Sequence, residues 1–277
     1  MSISRLRVTS GRGGNYATQF CYAEYIAHAW EIFHFYPAPQ QFNICVPCCV
    51  SEETAQALRQ TPLRQLTVEM IYEWNSSARP FEQQNDEIRY LLPRLLELLA
   101  HGHCPAINEE LCLKRIGAIS LGSWWPEERG VLTDFSRQYI HDLLLTPTLI
   151  NFESALVMFH FAGLSITVLL DEALNTPGYW AIASLAYFLY IKRPNGELRN
   201  AFISRKPDGE VITQQINAWI AQSCHSLAER AAAAIECSPS LPGGERTEYS
   251  VNLSYLINES LCALVDYQLL WTMDRSE

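Results

Sequence analysis

Charge is scarce in this 277-residue sequence: Asp, Glu, Lys and Arg make up 18% of it, against 48% hydrophobic residues. That balance excludes a disordered chain and predicts one that buries a substantial core. Basic residues are the scarcer sign, 20 against 30 acidic, for a formal charge of −10. Such a surface repels phosphate backbones, so nucleic acid is not an expected partner. Long apolar runs are also missing. The most apolar windows, residues 155–170 and 179–191, fall short of the roughly 18–20 residues a spanning helix needs, and the first contains His160. Both read as buried helices, and no membrane partner is expected. The opening MSISRLRVTSGRGGNY has no apolar stretch of the kind a secretory leader carries, which predicts a cytoplasmic protein.

Catalytic signatures are absent in the same way. There is no GxSxG, no HExxH, no Walker loop, and no GxGxxG following a strand; GRGG at 11–14 lacks both the preceding strand and the Lys-Ser/Thr ending. The sequence therefore predicts no enzyme by motif. No repeat at solenoid period is present either.

What the chain does contain is helix pattern. DEIRYLLPRLLELLA carries Ile88, Leu91, Leu92, Leu95, Leu96 and Leu99 at steps of three and four, with Pro93 inside and assigned to the polar face. Tyr16 to Tyr36 reads as a helix with the stripe Phe20, Ala23, Ala27, Trp30 and His34. Ser51 is a good cap for a short helix that Pro62 ends, and Pro62 in turn is placed to open the next one. Further helices are predicted over 107–117, 126–145, 148–174, 178–192, 209–236 and 247–272. PNG and PDG in the segment 192–212 are turn signals flanking a short run that suits either a β-hairpin or an irregular loop. The expected fold is mainly α, a multihelical bundle or array with little or no β. A flexible lead-in over 1–14 precedes a single domain over 15–277, with a subdivision near 195–210 as the alternative.

Nine cysteines are an odd number with no leader, so reduced thiols are predicted. Cys21, Cys112 and Cys262 lie among apolar neighbours and read as small hydrophobes. CVPCCVSEE is different. Cys45-x-x-Cys48 is half of a zinc site, and Cys49 or the cluster His101, His103 and Cys104 would have to complete it. Proline before the second cysteine also suits a thioredoxin-like redox turn, but no βαβ pattern surrounds it. Packed, reduced thiols before a capped helix are the favoured reading; no cofactor is expected, with Zn²⁺ the one the motif leaves open. HGHC at 101–104 most simply ends a helix, with Gly102 in the left-handed cap position.

The run FNICVPCCVSEETAQALRQTPLRQL, then IYEWNSSA and YLLPRLLEL, resembles a group of uncharacterised bacterial proteins over residues 42–100. Members share the CxxC-like turn, the TPLR-type helix start and the YLLPRxLEL helix, and occur beside polymorphic toxins of Rhs or contact-dependent systems. The resemblance implies an immunity protein that occludes the active site of a cognate toxin domain, and it defines no functional residue. Charge complementarity to a basic toxin would place the contact on acidic residues, the candidates being Glu82, Asp86, Glu87, Glu109, Glu110, Glu127 and Glu128. The alternatives are a metal- or thiol-dependent protein centred on CxxCC, or a scaffold for another protein.

Overall fold

The computed structural model describes residues 22–46, 48–80, 85–145, 152–193, 196–198, 200–203, 207–237 and 248–273. The predicted lead-in, Cys21 and Glu82 lie outside them. Among the described residues there are ten α-helices and no strand. They are α1 (Tyr22–Phe33), α2 (Glu52–Gln60), α3 (Val68–Ser76), α4 (Asn85–Ala100), α5 (Pro126–Leu145), α6 (Phe152–Phe161), α7 (Ile166–Asn175), α8 (Tyr179–Tyr190), α9 (Pro207–Glu236) and α10 (Glu248–Met273). The mainly α array expected from the periodicity is the observed fold.

Helix α5 is the hub, packing against α1, α6, α7 and α8; α1 bridges it to α4, and α8, α9 and α10 pack on one another. Buried apolar side chains from Ile26 to Leu264 form one cluster, and residues before, within and after 195–210, such as Leu189, Leu198, Ile203 and Ile212, belong to it.

Local chemistry sets the helix ends. The Ser51 hydroxyl accepts from the Thr54 amide at 3.2 Å and caps α2, with Glu52 and Glu53 in the first turn where the helix dipole favours them. Gly102, at φ 78°, closes α4 by donating to the Leu99 carbonyl, while the His103 amide reaches the Leu98 carbonyl. The predicted face of α4 is fully buried, and so are Glu87, Arg89 and Pro93. Pro93 thus sits in the interior and not on a polar face, and α4 continues through it because tertiary packing surrounds the helix on nearly every side.

Other expectations require correction. The buried stripe of α1 is Ile26, Ala29 and Phe33, one position off the predicted one; Ala23, Ala27 and His34 are exposed. Pro62 opens a 3-10 turn at Leu63–Gln65, and it is Thr67 that caps α3 by accepting from the Met70 amide. The described part of the span 148–174 is two helices, because Gly163 at φ 85° ends α6 and the Leu164 amide turns back to the Phe159 carbonyl. The hairpin near 192–212 does not form among the described residues: the PDG signal is the first turn of α9, with Pro207 in the position where a missing N–H costs nothing. Cys262 is exposed, since α10 buries Ile257, Ser260, Leu261 and Leu264.

No α-helix spans 107–117; two 3-10 turns, Glu109–Leu111 and Ile116–Ala118, stand there instead. The second turn lies so close to the end of α6 that a Cβ on Gly117 would come within 1.9 Å of the Phe161 carbonyl oxygen. Backbone meets backbone there, so neither side can rotate away. Gly117→Ala is expected to destabilise the protein by about 1–3 kcal/mol in urea unfolding, and a neutral result would contradict this contact.

Candidate functional site

Two neighbouring residues of α4, Glu87 and Arg89, are buried charges that face different partners. Glu87 accepts from the Trp74 indole N–H at 2.6 Å and from the Asn43 amide at 2.8 Å. The Arg115 guanidinium lies 3.9 Å away, stacked 4.5 Å over the Trp74 ring. It donates to the carbonyls of Asn43 at 3.2 Å, Ser77 at 2.8 Å and Asn75 at 3.4 Å. Burial pushes the Glu87 carboxyl up, against the pull of its two donors and Arg115. Burial likewise lowers Arg115 to about 10, so it remains a cation at neutral pH.

This ion pair is the root of the cysteine loop. The Ser77 hydroxyl accepts from the Cys45 amide at 2.8 Å, and the Cys49 and Val50 amides both donate to the Cys45 carbonyl, at 2.9 and 3.1 Å. The resulting tight turn brings three sulfurs together: Cys45 and Cys48 Sγ are 2.7 Å apart, Cys48 and Cys49 Sγ 3.2 Å apart. The thiol–thiol hydrogen bond to Cys45, then that to Cys49, raises Cys48 to about 12, whereas the Ala78 amide and the Cys48 thiol lower Cys49. Cys45 is half-buried; Cys48 and Cys49 are exposed. No imidazole or carboxylate joins this group among the described residues.

The other metal candidates lie elsewhere. His101 Nδ1 is 2.8 Å from the Glu97 carbonyl at the end of α4. His103 is exposed, and Cys104 Sγ is 3.5 Å from Cys112 Sγ, the latter buried. The capping role read for HGHC is therefore the one observed.

Arg89 builds the second network. Its guanidinium pairs with Glu128 at 3.2 Å and Asp86 at 3.5 Å, and donates to the Ser123 carbonyl. Glu128 in turn accepts from the Tyr36 hydroxyl and, at 2.9 Å, from the Trp125 amide. Burial, followed by the Glu128 hydrogen bond, raises Tyr36 to about 12. Two large aromatics on the segments this network holds stand in solvent: Trp125 is 66% exposed and Phe35, whose ring lies 5.2 Å from that of Tyr36, is 62% exposed.

The acidic candidates divide accordingly. Glu87 and Glu128 are buried and ion-paired, so they are not a contact surface. Glu109 accepts from the Tyr139 hydroxyl, and Glu110 from Ser154 and Asn200, which ties both to neighbouring elements. Asp86 and Glu127 remain exposed. A helix-start pattern in sequence marks where an acid is tolerated, not whether an arginine remote in sequence will bury it.

No helix among the described residues is long and apolar enough to cross a membrane. The chain matches no family model, no curated protein and no solved structure.

Proposed function

We propose that the chain is a non-enzymatic binding protein that neutralises a cognate, basic bacterial toxin domain in the cytoplasm by covering its active site. The observation that carries this reading is the pair of exposed aromatics, Phe35 and Trp125, carried on segments that the buried Glu128 ties together, with Asp86 and Glu127 exposed as well. Isolated exposed aromatics are ordinary, but these two are tied through Tyr36 and the Trp125 amide to the same buried carboxylate. Rigid aromatic anchors bind at low entropic cost, and acidic neighbours suit a basic partner. The resemblance over 42–100 supports the toxin as that partner. Several of its motif residues are spent on scaffold: Asn43, Asn75 and Ser77 belong to the buried network around Glu87, and Arg94 donates to the Leu66 carbonyl at 2.8 Å.

Co-expression with the toxin domain encoded by a neighbouring gene tests the proposal. Protection and co-purification are expected, with Trp125→Ala weakening the complex by roughly 2 kcal/mol or more, about 30-fold. Failure to protect would remove the toxin reading. Undiminished affinity in a Phe35→Ala/Trp125→Ala double variant would remove this face.

A further inference from the structure

We propose that Cys45, Cys48 and Cys49 form a three-thiolate site for one thiophilic d¹⁰ cation, Cu⁺ or Zn²⁺, with a coordination position left open to solvent. The proposal does not rest on the toxin reading. It stands on the convergence of three sulfurs within 4.8 Å of one another, on a loop whose backbone is held by Ser77 and by two amides on the Cys45 carbonyl.

Soft sulfur ligands select these ions, and trigonal or tetrahedral geometry at a metal–sulfur distance near 2.3 Å separates the sulfurs by about 3.8–4.0 Å. The present contacts of 2.7 and 3.2 Å must therefore open by roughly 1 Å. Cys48 and Cys49 are exposed, so rotation about χ1 meets little resistance. Binding releases a proton from each thiol that is protonated beforehand, and no electron is transferred. The loop also supplies the outer contacts such a site uses. Ser77, whose hydroxyl accepts from the Cys45 amide, is itself fixed by the buried Arg115. Among the described residues no other ligand joins the sulfur group, so a tetrahedral Zn²⁺ takes its fourth ligand from water or an external molecule, whereas a trigonal Cu⁺ is complete with an open face.

The test uses the full chain, reduced and handled without oxygen. Cu⁺ and Zn²⁺ are titrated separately against chromophoric chelators, with Co²⁺ as a spectroscopic stand-in for Zn²⁺. One equivalent of one of the two ions is expected, with a thiolate-to-cobalt charge-transfer band if the ion is Zn²⁺. Cys48→Ser and Cys49→Ser should each weaken binding on the order of 100-fold, and Cys104→Ser should leave it unchanged. All three altered thiols are exposed, so thermal unfolding should show the three variants folded. Absence of stoichiometric binding by the reduced protein, or binding that survives Cys48→Ser and Cys49→Ser, overturns the site.

Discussion

Arg115→Met is expected to lower stability by about 3–5 kcal/mol at neutral pH, measured by urea unfolding. Methionine fills most of the stem's volume, so the loss is chiefly electrostatic. It strands Glu87 in the interior without its cation and removes the donors to the carbonyls of Asn43, Asn75 and Ser77. The pH dependence identifies the cause. Burial already raises the folded-state Glu87 carboxyl above its ordinary value of 4.5, and losing Arg115 raises it further. A carboxyl raised on folding contributes most below its unfolded pKa, and that contribution disappears as pH rises through the folded one. The deficit of the variant against the parent should therefore shrink as pH falls from 7 towards 4.5, because Glu87 can then fold neutral. Adding Glu87→Gln should recover part of the loss at pH 7 and flatten the profile. A deficit below about 1 kcal/mol, or one that is independent of pH in the single variant, would show that Arg115 does not compensate Glu87.

That network also marks where sequence reading stops. The face of α4 was legible because its leucines repeat at helical steps and packing follows the stripe. Ser51 and Gly102 were legible because a cap is decided within four residues of chain. The stripe of α1 was misread by one position because the helix is aromatic on adjoining faces, so two stripes fit and only the position of α5 chooses between them. The 107–117 segment has helical pattern, yet Glu109 and Glu110 are held by Tyr139, Ser154 and Asn200, and Gly117 must touch α6. Those restraints are tertiary and outweigh local propensity. CxxCC was visible as a motif, whereas its hold on Ser77, Arg115 and Glu87 required contacts 28 to 44 residues apart. Phe35 and Trp125 gave no signal at all, since exposure of an aromatic has no sequence signature.

Glu128 joins the scaffold to the proposed binding face, and two substitutions separate its roles. Glu128→Ala leaves the buried Arg89 with the exposed Asp86 as its only counter-charge among the described residues, and should cost about 3–5 kcal/mol. Glu128→Gln keeps a side-chain oxygen for the Tyr36 hydroxyl or the Trp125 amide and should cost less, but it removes the negative charge. Tyr36 reports that removal. Its phenol, held at about 12 by burial and by Glu128, should fall towards its ordinary 10 in Glu128→Gln while Arg89 continues to lower it. Ultraviolet titration with Tyr36→Phe as the reference isolates this one phenol from the rest. An unchanged Tyr36 would mean that burial alone sets its value, and the Tyr36–Glu128 bond would lose its standing. If the aromatic face binds because it is held rigid, Glu128→Gln should also weaken the toxin complex without deleting any exposed side chain, and chiefly by faster dissociation. Equal affinity in Glu128→Gln, alongside a loss in Trp125→Ala, would instead make the aromatic contact sufficient and the buried ion pair a matter of folding alone.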